Sequence, residues 1–183
     1  MNIDPWLSKQ AVDFLDSIIN EDTTIFEWGS GGSTLRYAPI AKSIVSIEND
    51  KTWYEKLLAE FKERKIDNVD LKFIPNDNQT SKNTLDLNAY SSNSLYFKHK
   101  VFKTYVTEID NHDVFDLVIV DGRSRASCIK HAIDKVKIGG FIMLDDSERA
   151  YYNPGKDLLK NEKWEEIVLP GKGGGTTTFY KKL

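Results

Sequence analysis

The chain has 183 residues, 40% hydrophobic and 29% charged, which is ordinary for one water-soluble globular domain and unlike disordered, fibrous or membrane-spanning chains. Lys and Arg number 25 against 28 Asp and Glu, a net charge of −3, so no overall basic balance points to nucleic acid or to an anionic membrane surface. Cys128 is the single cysteine, which excludes an internal disulfide and a thiolate metal cluster.

The start, MNIDPWLSKQ, has no basic stretch leading into an apolar run, and the predicted location is cytoplasmic. Asp4 as a cap and Pro5 in the first turn predict a helix start. Leu7, Ala11, Phe14, Leu15, Ile18 and Ile19 then recur at helical spacing up to Asn20. Thr24 to Trp28 is a short, β-branched and aromatic run ended by glycines, as a buried strand is. A helix from Ser33 to Ala38 follows and stops at Pro39. Ile44 to Ile47 makes the next strand. Thr52 and Glu55 form a capping box for a helix running through Arg64, and Val69 to Ile74 makes a third strand. This alternation predicts a parallel sheet wound in the right-handed sense.

Pro75 to Lys100 breaks the rhythm with five asparagines and little aliphatic content. Val101 to Ile109 predicts a short helix. Phe115 to Gly122 (FDLVIVDG) is the most continuous apolar run and reads as a central strand. Ala126 to Val136 reads as a helix ended by Gly139 and Gly140, with Phe141 to Leu144 as the fifth strand. Trp164 to Leu169 and Thr176 to Tyr180 are joined by PGKGGG, a turn short enough to demand an antiparallel hairpin. One domain spanning 1–183 is expected, with 76–113 as an acceptor-side insertion or lid.

The segment FEWGSGGSTL places glycines between a strand and a helix, where backbone amides and the helix dipole face a ligand at the sheet edge. A dinucleotide fingerprint wants glycine at its first, third and sixth places. Gly29 and Gly31 fit, but Thr34 holds the sixth. A carboxylate at Glu27 suits a ligand with a cationic amino-acid end better than a pyrophosphate, and S-adenosylmethionine is such a ligand. Ser30, Ser33 and Thr34 complete the turn on that ligand's side. Glu48 lies 21 residues beyond Glu27, about the spacing at which an acid reaches ribose hydroxyls in a doubly wound fold.

With these motifs, with VFDLVIVDGRSR and IGGFIMLDDSER at the fourth and fifth strands, and with the closing hairpin, nearly the whole chain resembles the class I S-adenosylmethionine-dependent methyltransferases, in particular small bacterial ones with an ExGSGGST motif. The resemblance implies an α/β, Rossmann-like sheet of seven strands, the last antiparallel, with helices on both faces. It implies that Glu27, Gly29 and Gly31 hold the methionine portion of the cofactor, that Glu48 holds the ribose, and that Asn49 and Asp77 flank the adenine.

Asp121 ends the fourth strand, and Asp145 with Asp146 ends the fifth, so three carboxylates should converge beside the cofactor. Two accounts stand side by side. In the first, a hard divalent ion, Mg²⁺ or Ca²⁺, sits between Asp121, Asp145 and Asp146, as in metal-dependent O-methyltransferases of the catechol type, which the arrangement resembles. In the second, Asp121 meets the cofactor's amino group, Asp145 caps a turn, and Asp146 pairs with Arg123 or Arg149. Asp121, Asp145 and a loop histidine, His99 or His112, are the candidate catalytic groups; His131, mid-helix, reads as structural. Trp53 faces adenine or belongs to the core. Tyr151 and Tyr152 line the acceptor pocket or pack in a loop, and Arg123 and Arg125 bind an anionic acceptor or pair with nearby acids. Buried Cys128 reads as a small apolar residue.

The function these readings converge on is O-methylation of a small molecule or sugar, with nucleic acid disfavoured, no membrane partner, and a homodimer open. A non-catalytic cofactor-binding partner or regulator and an NAD-dependent oxidoreductase are the rivals.

Overall fold

Side chains alternate between the two faces of a strand, and here that alternation builds two cores. The computed structural model describes residues 4–183. Its strands are β1 (Thr24–Trp28), β2 (Ser43–Glu48), β3 (Val69–Phe73), β4 (Phe115–Val120), β5 (Val136–Leu144), β6 (Trp164–Pro170) and β7 (Thr176–Lys182). They form one sheet in the order β3-β2-β1-β4-β5-β7-β6. The first five are mutually parallel, and β7 runs antiparallel to both β5 and β6. The seven-stranded, closing-hairpin architecture is the one expected.

The helices are α1 (Lys9–Ile18), α2 (Gly32–Tyr37), α3 (Lys51–Arg64), α4 (Lys103–Thr107), α5 (Arg125–Ala132) and the single turn α6 (Asn153–Lys156). On one face of the sheet Ile25, Leu117, Ile119 and Met143 bury against Leu7, Ala11 and Leu15 of the N-terminal segment. On the other, Phe26, Trp28, Val118 and Val120 bury against Tyr105, Val106, Cys128 and Ile129. Strand β4, buried on both faces, is therefore apolar throughout its middle, which is why it reads as a continuous run rather than an alternation. Among the described residues no helix is long and apolar enough to cross a membrane.

Four boundaries differ from expectation, each for a local reason. The first helix starts at Lys9, not at Asp4 and Pro5, because the Ser8 hydroxyl takes the cap by accepting from the Ala11 amide at 3.1 Å. Asp4 and Pro5 instead lie against the glycine turn, where a side chain at Gly32 would come within 2.6 Å of the Asp4 carbonyl. Helix α3 is capped by Asp50, whose carboxylate accepts from the Trp53 amide at 2.9 Å, and not by a Thr52–Glu55 box. Helix α4 begins at Lys103 rather than Val101 and runs on into a 3₁₀ turn, Glu108–Asn111. Finally, Gly139 and Gly140 end no helix. β5 begins at Val136 and carries them through a register shift against Phe115–Leu117, with Gly139 at φ +81° and a Cβ at Gly140 only 2.6 Å from the Asp116 carbonyl.

The sheet's order reverses between β1 and β4, so the loops after these two strands diverge and leave a crevice at their carboxyl ends. The 76–113 segment lies beside it, held by isolated bridges Thr80–Lys100 and Ser91–Val101 and by the Ser124 hydroxyl, which donates to the Tyr90 carbonyl at 2.8 Å.

Candidate functional site

The turn after β1 approaches the turn after β4 more closely than side chains permit. Gly29 adopts φ +98°, and a Cβ there would stand 2.9 Å from the Gly122 amide nitrogen. Glycine at 29 is required both by the left-handed backbone and by this contact. Beneath the turn, the Glu27 carboxylate accepts hydrogen bonds from the hydroxyls of Ser33, Thr34 and Ser46, the last at 2.8 Å. Burial pushes Glu27 above the usual carboxylate range, and the three hydroxyls pull it back down. Trp53 clamps the turn from α3 by donating its indole N–H to the Ser30 carbonyl at 2.8 Å.

A cavity of about 470 Å³ opens at this point, lined by Gly29, Ser30, Glu48, Asn49, Asp50, Thr52, Trp53, Lys56, Asp121, Gly122 and Arg123. A crevice of about 200 Å³ continues past Gly29–Ser33 beneath Pro5–Leu7, and Asp121 lines both. Glu48 is held by its own loop: Oε1 accepts from the amides of Asn49 at 2.6 Å and Asp50 at 2.7 Å. Burial raises its pKa and these two amides oppose the rise. At the far side Asp121 Oδ1 takes a salt bridge from Arg125 at 2.8 Å. Burial pushes Asp121 up to about 7; Arg125 opposes this, while Asp145 and Asp146 add to it. The Asn49 side-chain nitrogen is buried with no hydrogen-bond partner, an unmet donor in a residue of the wall that also carries Glu48, Asp50 and Asp121.

No protein-family model matches the sequence, and no curated protein does. Solved structures do. A methyltransferase-like protein from Silicibacter pomeroyi has a TM-score of 0.71 at 20% identity over 99% of this chain and 89% of its own. A methyltransferase from Streptococcus mutans in complex with S-adenosylhomocysteine has 0.63 at 15% identity, over 96% and 97%. An rRNA methylase from Streptococcus thermophilus has 0.61 at 14% identity, over 95% of each chain. The fold is that of the class I methyltransferases. These likenesses agree with the seven-strand topology.

Within this methyltransferase fold, several residues expected at the site stand elsewhere. Glu27 lies under the glycine turn and lines neither cavity nor crevice; its three hydroxyl partners make it the turn's anchor, with Thr34 beside it. Asp121 is the carboxylate that faces the crevice in its place. Asp77 accepts from the Thr104 amide at 3.2 Å at the start of α4 and lines neither the cavity nor the crevice. His99 sits in the 76–113 segment at φ +66° and lines neither cavity. His112 pairs with Glu108 at 3.2 Å and His131 with Asp110 at 2.9 Å, both away from the crevice.

The three strand-end acids do not form an ion site. Arg125, itself buried, stands among them: besides its salt bridge to Asp121 it lies 3.4 Å from Asp146 and donates to the Asp145 carbonyl at 2.6 Å. Asp145 is buried and its Oδ1 accepts from the Thr177 hydroxyl at 2.8 Å, while Asp146 pairs with Arg149 at 2.8 Å. Among the described residues no group of three or more His, Cys, Asp or Glu is placed to hold a metal. Charge neutrality among the acids is met by guanidinium groups, so this donor set does not fit Mg²⁺ or Ca²⁺.

A second cavity adjoins the first across Gly122 and Arg123. It is narrow, about 50 Å³, and is lined by Thr84 and Ser91–Ser94 from the 76–113 segment, by Arg123–Ala126 after β4, and by Arg149, Tyr151 and Tyr152 after β5. No Asp or Glu lines it. The serines went unremarked in the sequence because the asparagines around them dominated the segment's composition. The SSNS run (91–94) was the available signal.

Proposed function

We propose that this chain is an S-adenosylmethionine-dependent methyltransferase acting on the oxygen of a small acceptor. The observation that supports this most is the acidic cavity at the reversal of the sheet, with Glu48 on one side, Asp121 on the other and the unmet Asn49 amide between their loops. Glu48 leaves one carboxylate oxygen for a pair of vicinal hydroxyls, and its two backbone bonds fix that oxygen's direction. Asp121 has one oxygen on Arg125 and the other for an ammonium at the mouth of the crevice. Asn49 donates to a ring nitrogen, and Trp53 offers a flat wall beside it. Glu48, Asp50 and Asp121 outnumber Lys56 and Arg123 in this cavity, a balance that favours a cationic ligand over a pyrophosphate.

The bound donor supplies a methyl carbon on a cationic sulfur. An acceptor lone pair forms a new bond to that carbon as the carbon–sulfur bond breaks, the electron pair stays on sulfur, and the acceptor's proton passes to water. The protein's share is alignment and exclusion of water, which the rigid strand ends and the adjoining 76–113 segment supply. No step passes through a metal.

Calorimetry with S-adenosylmethionine and S-adenosylhomocysteine tests the reading. One equivalent of each should bind, and Glu48→Ala should weaken both at least tenfold, as loss of a charged hydrogen-bond acceptor does. Absence of binding by the wild-type chain would overturn it. Release of S-adenosylhomocysteine against a panel of hydroxylated acceptors then separates an enzyme from a non-catalytic binder.

A further inference from the structure

The second cavity collects hydrogen-bond donors that the protein does not use. Arg123 presents one face to the Phe97 ring, 4.9 Å from its centroid, and donates Nη1 to the Ser94 hydroxyl at 3.2 Å. Its Nε is buried and has no partner, and among the described residues it forms no ion pair. Ser94 Oγ accepts from Arg123, and Ser92 Oγ accepts from the Ser94 amide at 3.2 Å. Each hydroxyl therefore has its own hydrogen left to donate, and no protein acceptor receives either. The other two arginines in the wall are already engaged by carboxylates, Arg125 by Asp121 and Arg149 by Asp146, which leaves Arg123 as the wall's arginine without an ion pair among the described residues.

A buried guanidinium N–H without an acceptor costs free energy comparable to a lost charged hydrogen bond, and the Ser92 and Ser94 hydroxyls in the same wall add two neutral donors. A cation, or a neutral group that can only donate, leaves all three unmet. An oxyanion meets them together, and the planar guanidinium edge, held by the ring behind it, is suited to carboxylate or phosphate geometry. The space of about 50 Å³ is narrow and suits a small polyatomic anion better than a ring.

We propose that this cavity is an anion subsite in which Arg123, Ser92 and Ser94 hold a carboxylate or phosphate carried by the methyl acceptor. That the anion belongs to the acceptor rests on the reading of the acidic cavity as the donor site; that an anion binds here does not. The acceptor class is therefore an anionic hydroxy compound, such as a hydroxy acid or a phosphorylated polyol, with its hydroxyl directed across Gly122 towards the first cavity.

Amide chemical shifts of the full chain, with saturating S-adenosylhomocysteine and then without it, are followed while inorganic phosphate, and separately acetate, is added. Saturable shifts confined to Ser92, Ser94, Arg123 and Ser124 are expected. Arg123→Gln should weaken the anion at least tenfold and Arg123→Lys by less, since a lysine keeps the charge and loses the planar edge. Ser94→Ala, a gentler change, should weaken it about threefold and decides the matter if the arginine variants do not fold. Tighter phosphate supports a phosphorylated acceptor and tighter acetate a carboxylated one. No saturable shift for either anion, shifts centred on the glycine turn instead, or unchanged affinity in Arg123→Gln and Ser94→Ala would overturn the proposal. If phosphate binds but S-adenosylhomocysteine does not, the anion subsite stands and the methyltransferase reading fails; the reverse result has the opposite meaning.

Discussion

Two cavities share a wall at Gly122 and Arg123 and differ in where their carboxylates stand. The larger is lined by Glu48, Asp50 and Asp121 together with Lys56 and Arg123, the smaller by Arg123, Arg125 and Arg149 with no carboxylate in its surface. The larger takes its walls from the ends of β1, β2 and β4 and the start of α3, elements tied into the sheet. The smaller takes half of its wall from a segment held by two isolated bridges. A cationic donor and an anionic acceptor would thus be sorted by different parts of the chain, the one by strand ends and the other in part by the 76–113 segment.

The sharpest way to break this contrast is Asp121→Asn. If the larger cavity selects a cation through this carboxylate, loss of one charged hydrogen bond should weaken S-adenosylhomocysteine by about 10- to 150-fold in calorimetry. A change under threefold would remove Asp121 from the donor site.

The pH dependence comes next. Asp121 is pushed up to about 7, so the ionised form that an ammonium needs grows as pH rises through that value, and donor affinity should rise about tenfold between pH 6 and 8. The rise should vanish in Asp121→Asn. The sign for stability is opposite: the folded protein holds this proton where the unfolded chain has released it, so stability contributed by Asp121 falls as pH climbs from the ordinary carboxylate range towards 7. Thermal melts of the ligand-free protein across that interval check it.

Glu48→Gln has a smaller expected effect. The amide oxygen can still accept from the backbone of Asn49 and Asp50, but the second atom becomes a donor facing hydroxyls, and a loss of about fivefold in donor affinity is expected from about 1 kcal/mol. The smallest effect on binding belongs to Glu27→Gln, because Glu27 touches hydroxyls and not the cavity. Donor affinity should stay within about threefold while the melting midpoint falls by about 2–8 °C, as loss of about 1–2 kcal/mol in a chain of this size implies. If binding collapses with the fold intact, Glu27 reaches the ligand after all.

The parts legible in the sequence were those where local pattern and global packing agree. The β4 run, the glycine turn and the PGKGGG hairpin each combine an apolar period with a turn residue whose backbone demand is specific. Boundaries were lost where two residues competed for one role. Asp50 and Thr52 are both good caps, and the one that won is the one whose carboxylate meets the Trp53 amide. Gly139 and Gly140 carry the usual mark of a helix end, yet β5 had already begun, and only the crowding against the Asp116 carbonyl shows why glycine is needed there.

The site was legible in its residues more than in their directions. Glu27, Glu48, Asp121, Asp145 and Asp146 all sit at strand ends, but spacing does not tell which acid looks into the crevice. Ser33, Thr34 and Ser46 turn Glu27 inward, Thr177 engages Asp145, and Arg125 stands where an ion was expected. These partners lie far apart in the chain, and only the fold brings them together.

The bridges Thr80–Lys100 and Ser91–Val101 close the 76–113 segment at its base. For a loop pinned in this way, each doubling of length costs only about 0.6 kcal/mol of closure entropy. The length between the pins can therefore change at little cost in closure entropy, provided that Leu87, Tyr90 and Phe97, which pack against the core, are kept. On the reading proposed above, the stretch between the pins is where acceptor choice can change with least disturbance to the sheet.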